Sequence, residues 1–251
     1  MTSPQHPLDR LVGELALQSP LDDEDRQSIL DLPIRLRRLD PLAYLVRDGV
    51  LPLSCSVLVD GFAFRQKVTG NGSRQILALC LPGDAVDLQH VFLNIADHSV
   101  QMLTPGTVAD IKRGDLHELI MTRPAISAAM IKLTLIEASI MREWVVNVGR
   151  RHARERIAHL LCEFAVRAEA KGLSSEGFDL PITQEQLADA TGLTPVHVNR
   201  ILKALEADGL IHRQRRQIHF ESWRALQQVG DFNWEYLHLP SEQRDAIQAL
   251  G

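Results

Sequence analysis

The chain is poor in cysteine: Cys55, Cys80 and Cys162 are the only three in 251 residues, and each stands alone. No C-x-x-C pair exists, so a structural zinc site and a closed disulfide framework are not expected. The plain reading is three partly buried small hydrophobes, and the alternative is a single redox-active thiol. Positive charge is also in deficit. Lys and Arg number 27 against 32 Asp and Glu, for a net charge of −5. The chain is therefore not basic throughout, although a nucleic-acid binder needs positive charge only on its contact face. Aromatic residues make up 5%. The one local group, Phe232, Trp234 and Tyr236 with Leu237, is not interleaved with basic residues, so it reads as core rather than as a platform for single-stranded nucleic acid. No apolar run is expected to span a bilayer, and MTSPQHPLDR lacks the apolar core of a secretory signal. A cytoplasmic protein without a membrane partner is expected.

What is present is concentrated in residues 182–221, ITQEQLADATGLTPVHVNRILKALEADGLIHRQRRQIHFE. Thr183 and Gln186 have the spacing of a capping box, which starts a helix at about Gln184. Leu187, Ala188 and Ala190 give that helix an apolar side. Gly192 suits the left-handed turn that follows. Thr194 is a good N-cap, and Pro195 takes the first helical position, where a missing N–H costs nothing. Val198, Ile201, Leu202 and Leu205 then form a buried stripe. Val196, His197, Asn199, Arg200 and Lys203 face outward. Gly209 stops the helix, and Leu210–Arg213 and Gln217–Glu221 read as two strands around Gln214-Arg215-Arg216. Two helices, a glycine turn and a basic hairpin are the plan of a winged helix-turn-helix, which places one helix in the major groove of duplex DNA.

The outward residues suit that task. Arg200 can donate two parallel hydrogen bonds to guanine, Val196 can meet a thymine methyl, and Asn199 a base edge or a phosphate. Thr194 and the free N–H groups of the helix start suit a phosphate oxygen, as do Arg213, Arg215 and Arg216 on the wing. The competing reading is a plain helical hairpin with a solvated charged face. The coincidence of two caps, a glycine turn, the Asn199–Arg200 pair and a basic wing favours DNA. Arg142, Arg150, Arg151, Arg154 and Arg156 against Glu143 and Glu155 add a local basic excess beside the module.

The run from Pro181 to Phe220 closely resembles the C-terminal domain of the Crp–Fnr transcription regulators. Gly149-Arg150-Arg151-His152-Ala153-Arg154-Glu155-Arg156-Ile157-Ala158 resembles that family's junction between dimer helix and DNA-binding domain. The resemblance covers most of the chain, strongly after residue 145 and weakly before about residue 40. It implies an α+β fold in three parts: a jelly-roll-like double-stranded β-roll sensor domain with N-terminal helices over 1–122, a dimerisation helix over 123–150, and a winged helix-turn-helix domain over 151–251. It further implies that Pro195, Val196 and Arg200 occupy positions that often read bases. Arg200 alone keeps the usual chemistry there. Many members carry glutamate where this chain has Val196, which points to a different half-site.

The residues of the first part agree with a roll. Leu8–Leu17 and Asp22–Leu30 read as helices. Val57–Val59, Phe62–Val68, Gln75–Leu81, Val100–Leu103 and Thr107–Ile111 read as strands, with Gly70-Asn71-Gly72 a hairpin signal. Resemblance places an effector pocket at Asp87, Leu88, His98 and Ser99, after the turn Gly83-Asp84. Members that bind cyclic AMP have Gly-Glu and Arg-Ser at those positions. Leu88 cannot accept hydrogen bonds from ribose, Asp87 repels a phosphate, and His98 is a poor substitute for arginine. Cyclic AMP is not expected to bind in the usual way. The iron–sulfur sensors of the family use four cysteines, most of them near the N-terminus, so that cluster is not expected either. His90, His98 and His117 match no metal-ligand spacing, and the sequence leaves haem open.

Between the two parts, Arg123-Pro124 starts a helix running to about Val148. Ile126, Met130, Leu133, Ile140, Trp144 and Val148 recur at spacings of three and four and read as a dimer seam, with Glu137 interrupting it. The alternative is an amphipathic helix packed on its own domain. Further helices are expected over His152–Lys171, Trp223–Val229 and Trp234–Leu250. The reading reached is a homodimeric regulator of transcription on an inverted-repeat DNA site, with RNA polymerase as partner if it activates, controlled by an effector other than cyclic AMP or binding DNA constitutively. The competing classes are a cupin-like small-molecule enzyme, for which no converging catalytic set is found in residues 40–112, and a module whose winged domain contacts protein.

Overall fold

The computed structural model describes residues 6–173, 178–179, 182–214, 217–240 and 243. The chain divides into two compact units, Met1–Ala138 and Ser139–Gly251. The first opens with helices α1 (Asp9–Gln18) and α2 (Asp23–Leu30). The Asp22 carboxylate caps α2 by accepting the Asp25 N–H at 2.7 Å. Asp23, Glu24 and Asp25 fill its first turn, where negative charge faces the positive end of the helix dipole.

Eight strands follow: β1 (Ile34–Leu39), β2 (Tyr44–Val46), β3 (Ser54–Asp60), β4 (Ala63–Val68), β5 (Arg74–Cys80), β6 (Ala85–Val86), β7 (Ser99–Met102) and β8 (Gly106–Lys112). They make two antiparallel sheets, in the orders β1–β8–β3–β6 and β2–β7–β4–β5. Helix α3 (Arg113–Thr122) follows directly on β8. Along β3 and β8 successive side chains serve two cores. Cys55, Val57, Ala109 and Ile111 join Leu11, Leu15, Ile29 and Leu116 on the helical side. Leu58 and Val108 turn the other way and meet Ala63, Cys80, Val100 and Met102 between the sheets. Burial on both faces explains the uninterrupted apolar stretch Val57–Val59 within β3.

The expected strands and the Gly70-Asn71-Gly72 hairpin are present, the latter closed by the Thr69 N–H on the Ser73 carbonyl at 2.9 Å. Strands β1, β2 and β6 and helix α3 lack a clear sequence signal. In β1, Ile-Arg-Leu-Arg-Arg-Leu carries three arginines because it is a sheet edge, and charge there blocks further pairing. Arg37 ion-pairs with Asp110 on the neighbouring β8.

Helix α4 (Pro124–Gly149) has 26 residues and corrects two expectations. It is long and apolar enough to cross a membrane by length and composition, contrary to the reading that no such run exists. The stripe read as a dimer seam is also mostly committed within the chain. Ile126 and Met130 are buried in the helical core of the first unit, and Leu133 packs against the same cluster. Glu137 accepts from Arg65 at 2.9 Å. In the second unit Trp144 is buried against Glu163, while Ile140 and Val148 are half-buried. The free apolar face is a different one: Ile131, Leu135 and Val145 are 58%, 62% and 67% exposed. With Ala138 they recur at spacings of four, three and seven, a heptad stripe.

The second unit is built around α5 (Ala153–Ala170). It packs against α6 (Gln184–Thr191), α7 (Pro195–Ala207) and α8 (Trp223–Val229). Strand β9 (Phe178–Asp179) pairs with β11 (Gln217–Phe220), which pairs with β10 (Ile211–Gln214). Ile157, Leu161, Phe164, Leu187, Val198, Leu205 and Leu226 are fully buried. The helix expected over Trp234–Leu250 is, in its described part, a single 3-10 turn over Trp234–Leu237. His238, in the left-handed region at φ 49°, ends it. Residues 241–242 and 244–250 lie outside the described residues, as does most of the loop Leu173–Phe178.

A buried polar network ties this turn to α4 and α5. Trp144 Nε1 donates to both Glu163 oxygens, at 3.0 and 3.1 Å, and the Tyr236 hydroxyl donates to Glu163 Oε2 at 2.8 Å. His159 Nδ1 lies 3.1 Å from the Gly230 carbonyl and Nε2 3.2 Å from the Tyr236 hydroxyl. A Cβ on Gly230 would sit 2.7 Å from the backbone nitrogen of His159, so only glycine permits this close approach of the two backbones. Burial pushes the Glu163 carboxyl above its usual range. Burial, aided by Arg151, pushes His159 down from 6.5 to about 4.

The His159 shift sets a pH dependence. As pH falls from 6.5 towards 4, the unfolded chain binds a proton that the folded unit resists. The stability His159 contributes is therefore complete above pH 6.5 and is lost on acidification, by about 3 kcal/mol in full. Urea unfolding at neutral and mildly acidic pH, followed by tryptophan fluorescence, should show this loss. Trp144, Trp223 and Trp234 all lie in this unit. His159→Gln should remove that part of the pH dependence; an unchanged profile would refute the assignment.

Candidate nucleic-acid interface

Helices α6 and α7 form where their caps dictate. Thr183 Oγ1 accepts the Gln186 N–H at 3.2 Å, and the Gln186 side chain accepts the Thr183 N–H at 2.9 Å. Gly192 ends α6 at φ +66°. Thr194 caps α7 by accepting the His197 N–H at 3.3 Å, and Pro195 occupies the first helical position. Thr183 and Thr194 are thus both engaged as caps. Val198, Ile201, Leu202 and Leu205 are buried, which fixes the rotation of α7 about its axis. The opposite ridge carries Val196, Arg200 and Lys203, all exposed, with His197 half-buried beside it. Among the described residues, Arg200 and Lys203 have no hydrogen-bond or ion-pair partner.

Asn199 is held, donating to Gln184 Oε1 at 3.0 Å. Gln184, at the start of α6, was not singled out from sequence, because the contact exists only once the two helices cross. Arg213 is also engaged. It pairs with Glu206 at 2.5 Å, and its N–H donates to the same carboxylate at 3.1 Å. Its free-phosphate role therefore requires release of Glu206, whose carboxyl it holds below the usual range. Arg215 and Arg216 lie outside the described residues. The basic run upstream is largely committed to structure. Arg151 pairs with Glu143 and Asp231, and Arg154 with Asp208. Arg156 donates to the Arg151 and Thr191 carbonyls at 2.8 and 3.0 Å, holding the end of α6. Arg142 and Arg150 are exposed.

In the roll, the four expected pocket residues separate. Asp87 and His98 come together, Nε2 to Oδ1 at 2.9 Å. Leu88 is buried in the helical core instead. Ser99 Oγ accepts the Asp48 N–H at 3.0 Å. The missing member is Arg65 on β4, buried, which donates to Asp87 at 3.1 Å and to Glu137 of α4 at 2.9 Å. No local pattern announces it, because the pairing arises from sheet register and tertiary packing. Burial pushes the Asp87 carboxyl up, yet the His98 bond and the Arg65 charge more than offset this and hold it below its ordinary range. Asp87 takes the left-handed conformation at φ 61°. His90 lies 3.8 Å from Asp87 Oδ2, and burial lowers its pKa. His117 is apart, its ring centre 5.5 Å from that of Phe92. The three cysteines are buried thiols, and burial raises each, Cys80 to about 12.

Residues 155–229 match the family model of a Crp-like helix-turn-helix domain. The transcriptional activator protein FnrL of Cereibacter sphaeroides is 34% identical over 180 residues, covering 69% of this chain and 72% of its own. The structure of FixK2 from Bradyrhizobium japonicum superimposes with a TM-score of 0.73 at 23% identity, covering 79% of this chain and 98% of that one. TTHA1359, a transcriptional regulator of the CRP/FNR family from Thermus thermophilus, has a TM-score of 0.61 at 14% identity, covering 79% and 99%. The structural likenesses establish the fold.

Removing one partner of the Arg65 network should be costly. Arg65→Met leaves Asp87 buried without its arginine, beside His98 and Gln89, and the expected loss is about 3–5 kcal/mol of unfolding free energy. Arg65→Met combined with Asp87→Asn should recover part of it. A loss in the double variant equal to the sum of the Arg65→Met and Asp87→Asn losses, measured by urea denaturation, would show that the pair is not coupled.

Proposed function

The chain belongs to the Crp–Fnr family of transcription regulators, and from that premise we propose that it works as a homodimer reading an inverted-repeat DNA site. It is a DNA-binding regulator, with α7 as the recognition helix. The observation that carries the finer reading is the outward ridge of α7, where exposed Arg200 and Lys203 have no protein partner among the described residues. Unpaired cations on a rigid helix face are ready for guanine and for phosphate. Arg200 is assigned to guanine, Lys203 to the backbone, and Thr194 with Pro195 and His197 to the phosphate-facing start of the helix. The second copy is assigned to the free face of α4, Ile131, Leu135 and Val145, and the same apolar stripe accounts for the membrane-like composition of that helix without a membrane. Two α7 helices related by this axis would meet successive major grooves about 34 Å apart.

The cyclic-nucleotide position is filled by the chain itself. Arg65 and His98 neutralise Asp87, and Leu88 is committed to the core. These contacts support the reading that cyclic AMP is not the effector and that control falls to another signal or to none. The cysteines do not fit an iron–sulfur cluster: Cys55 and Cys80 belong to separate cores, Cys162 to the other unit, and all three are buried. The FnrL relative is named as an activator; activation by this chain would make RNA polymerase its protein partner, in the cytoplasm.

Selection from a random duplex pool with the purified protein should enrich an inverted repeat. Arg200→Ala should lose roughly 1–3 kcal/mol of base discrimination per half-site, with its circular dichroism unchanged. Retained specificity in that variant would remove Arg200 from readout. Leu135→Asp should convert a sedimenting dimer to a monomer, and a dimer surviving that change would place the interface elsewhere. Calorimetric titration with cyclic AMP should give no heat at micromolar ligand, whereas saturable binding there would overturn the pocket assignment.

A further inference from the structure

The free face of α4 is interrupted by a charge. Ile131, Leu135 and Val145 expose more than half of their surface there, and exposed Ala138 completes the register. One heptad after Leu135 the same stripe carries Arg142, which is exposed too. The residues three and four places from it on the helix are Ala138, Ser139, Val145 and Val146, so none of these neighbours is an acid. Glu137 and Glu143 are the acids of α4, and both are engaged elsewhere. Glu137 accepts from Arg65 at 2.9 Å, and Glu143 pairs with Arg151 at 2.6 Å. The other cation of the helix, Lys132, donates to the Gln18 carbonyl. Among the described residues, Arg142 has no hydrogen-bond or ion-pair partner.

From this accounting, and resting on the dimer assigned above, we propose that Arg142 of each copy forms half of an anion site on the two-fold axis, and that an oxyanion of the phosphate class fills it and strengthens the dimer. In a parallel two-stranded seam a core residue faces its own copy across the axis. The second copy therefore brings a second Arg142. It brings no free acid from the helix, because its own Glu137 and Glu143 are engaged in the same way. Two guanidinium groups held together among apolar side chains repel each other, and a setting with little water strengthens the repulsion. An oxyanion between them removes it. Each planar guanidinium can offer two parallel N–H donors to a phosphate group, and a tetrahedral oxyanion has oxygens for both. Because the ligand needs both copies, its binding favours the dimer by mass action, and with it any task that needs two recognition helices. A leucine at this position would give an unconditional seam, whereas arginine makes the seam depend on the ligand.

The test is sedimentation equilibrium of the full-length protein without DNA, at constant ionic strength, as sodium chloride is exchanged for sodium phosphate. The dimer dissociation constant of the wild type should fall roughly tenfold, the effect of relieving one close pair of like charges. Arg142→Leu should dimerise at least that much more tightly in chloride and should not respond to phosphate. Arg142→Lys keeps the charge without the fork and should respond in part. A response in the absence of DNA assigns the site to a free anion rather than to the DNA backbone. Because Arg142 is exposed and unpaired, these variants should fold as the wild type does, which circular dichroism checks. A wild-type dimer indifferent to phosphate, or an Arg142→Leu variant that keeps the wild-type response, overturns the proposal although the dimer stands. If wild type and Arg142→Leu are both monomeric in both salts, the dimer reading fails, and this inference falls with it.

Discussion

Helix α4 has two apolar faces and buries only one of them in its own chain, and the proposed assembly depends on that division. Its inner face is used up by Ile126, Met130 and Leu133 in the first unit and by Trp144 in the second. Its outer face, with Ile131, Leu135 and Val145, is left to water. Exposed apolar area of this kind in heptad register is stabilised by a second helix of the same kind. On the proposed reading a two-fold partner would cover it, which would double the recognition helix and call for a palindromic target, so the symmetry of the proposed assembly would rest on how one helix is divided between inside and outside.

Buried charge supplies the second theme. Arg65 stands between Asp87 and Glu137, so a β-roll strand, the turn directly after β6 and the long helix share one cation. Burying Arg65 and Asp87 carries a desolvation cost that their pairing offsets. The arrangement therefore favours one geometry of these three elements over near alternatives. A comparable role falls to Glu163, which receives the Trp144 indole and the Tyr236 hydroxyl. In both cases a carboxylate, not an apolar contact, specifies how α4 meets the elements packed on it.

Local rules made much of this legible in sequence. The Thr183 and Thr194 caps, Pro195, the left-handed Gly192 and the stripe from Val198 to Leu205 depend on neighbours within one or two turns, and all appear where those rules place them. The Asn71 hairpin is of the same kind. What escaped is nonlocal. Short strands such as β2 and β6 exist only because a partner strand extends to them. Arg65, Gln184 and Glu206 acquire meaning through contacts across elements. The stripe read as a dimer seam is covered within the chain for a subtler reason: both faces of α4 repeat at three and four, and periodicity does not say which one the chain itself covers. Glu137 was the clue, since a carboxylate in an apolar stripe belongs opposite a fixed cation, here Arg65.

The account stands or falls on two copies placing two α7 helices in successive major grooves. Hydroxyl-radical footprinting of the purified protein on a selected duplex tests this directly. The prediction is two protected blocks on one face of the DNA, related by two-fold symmetry and centred about one helical turn apart. A single block, or protection without two-fold symmetry, would contradict the dimeric arrangement.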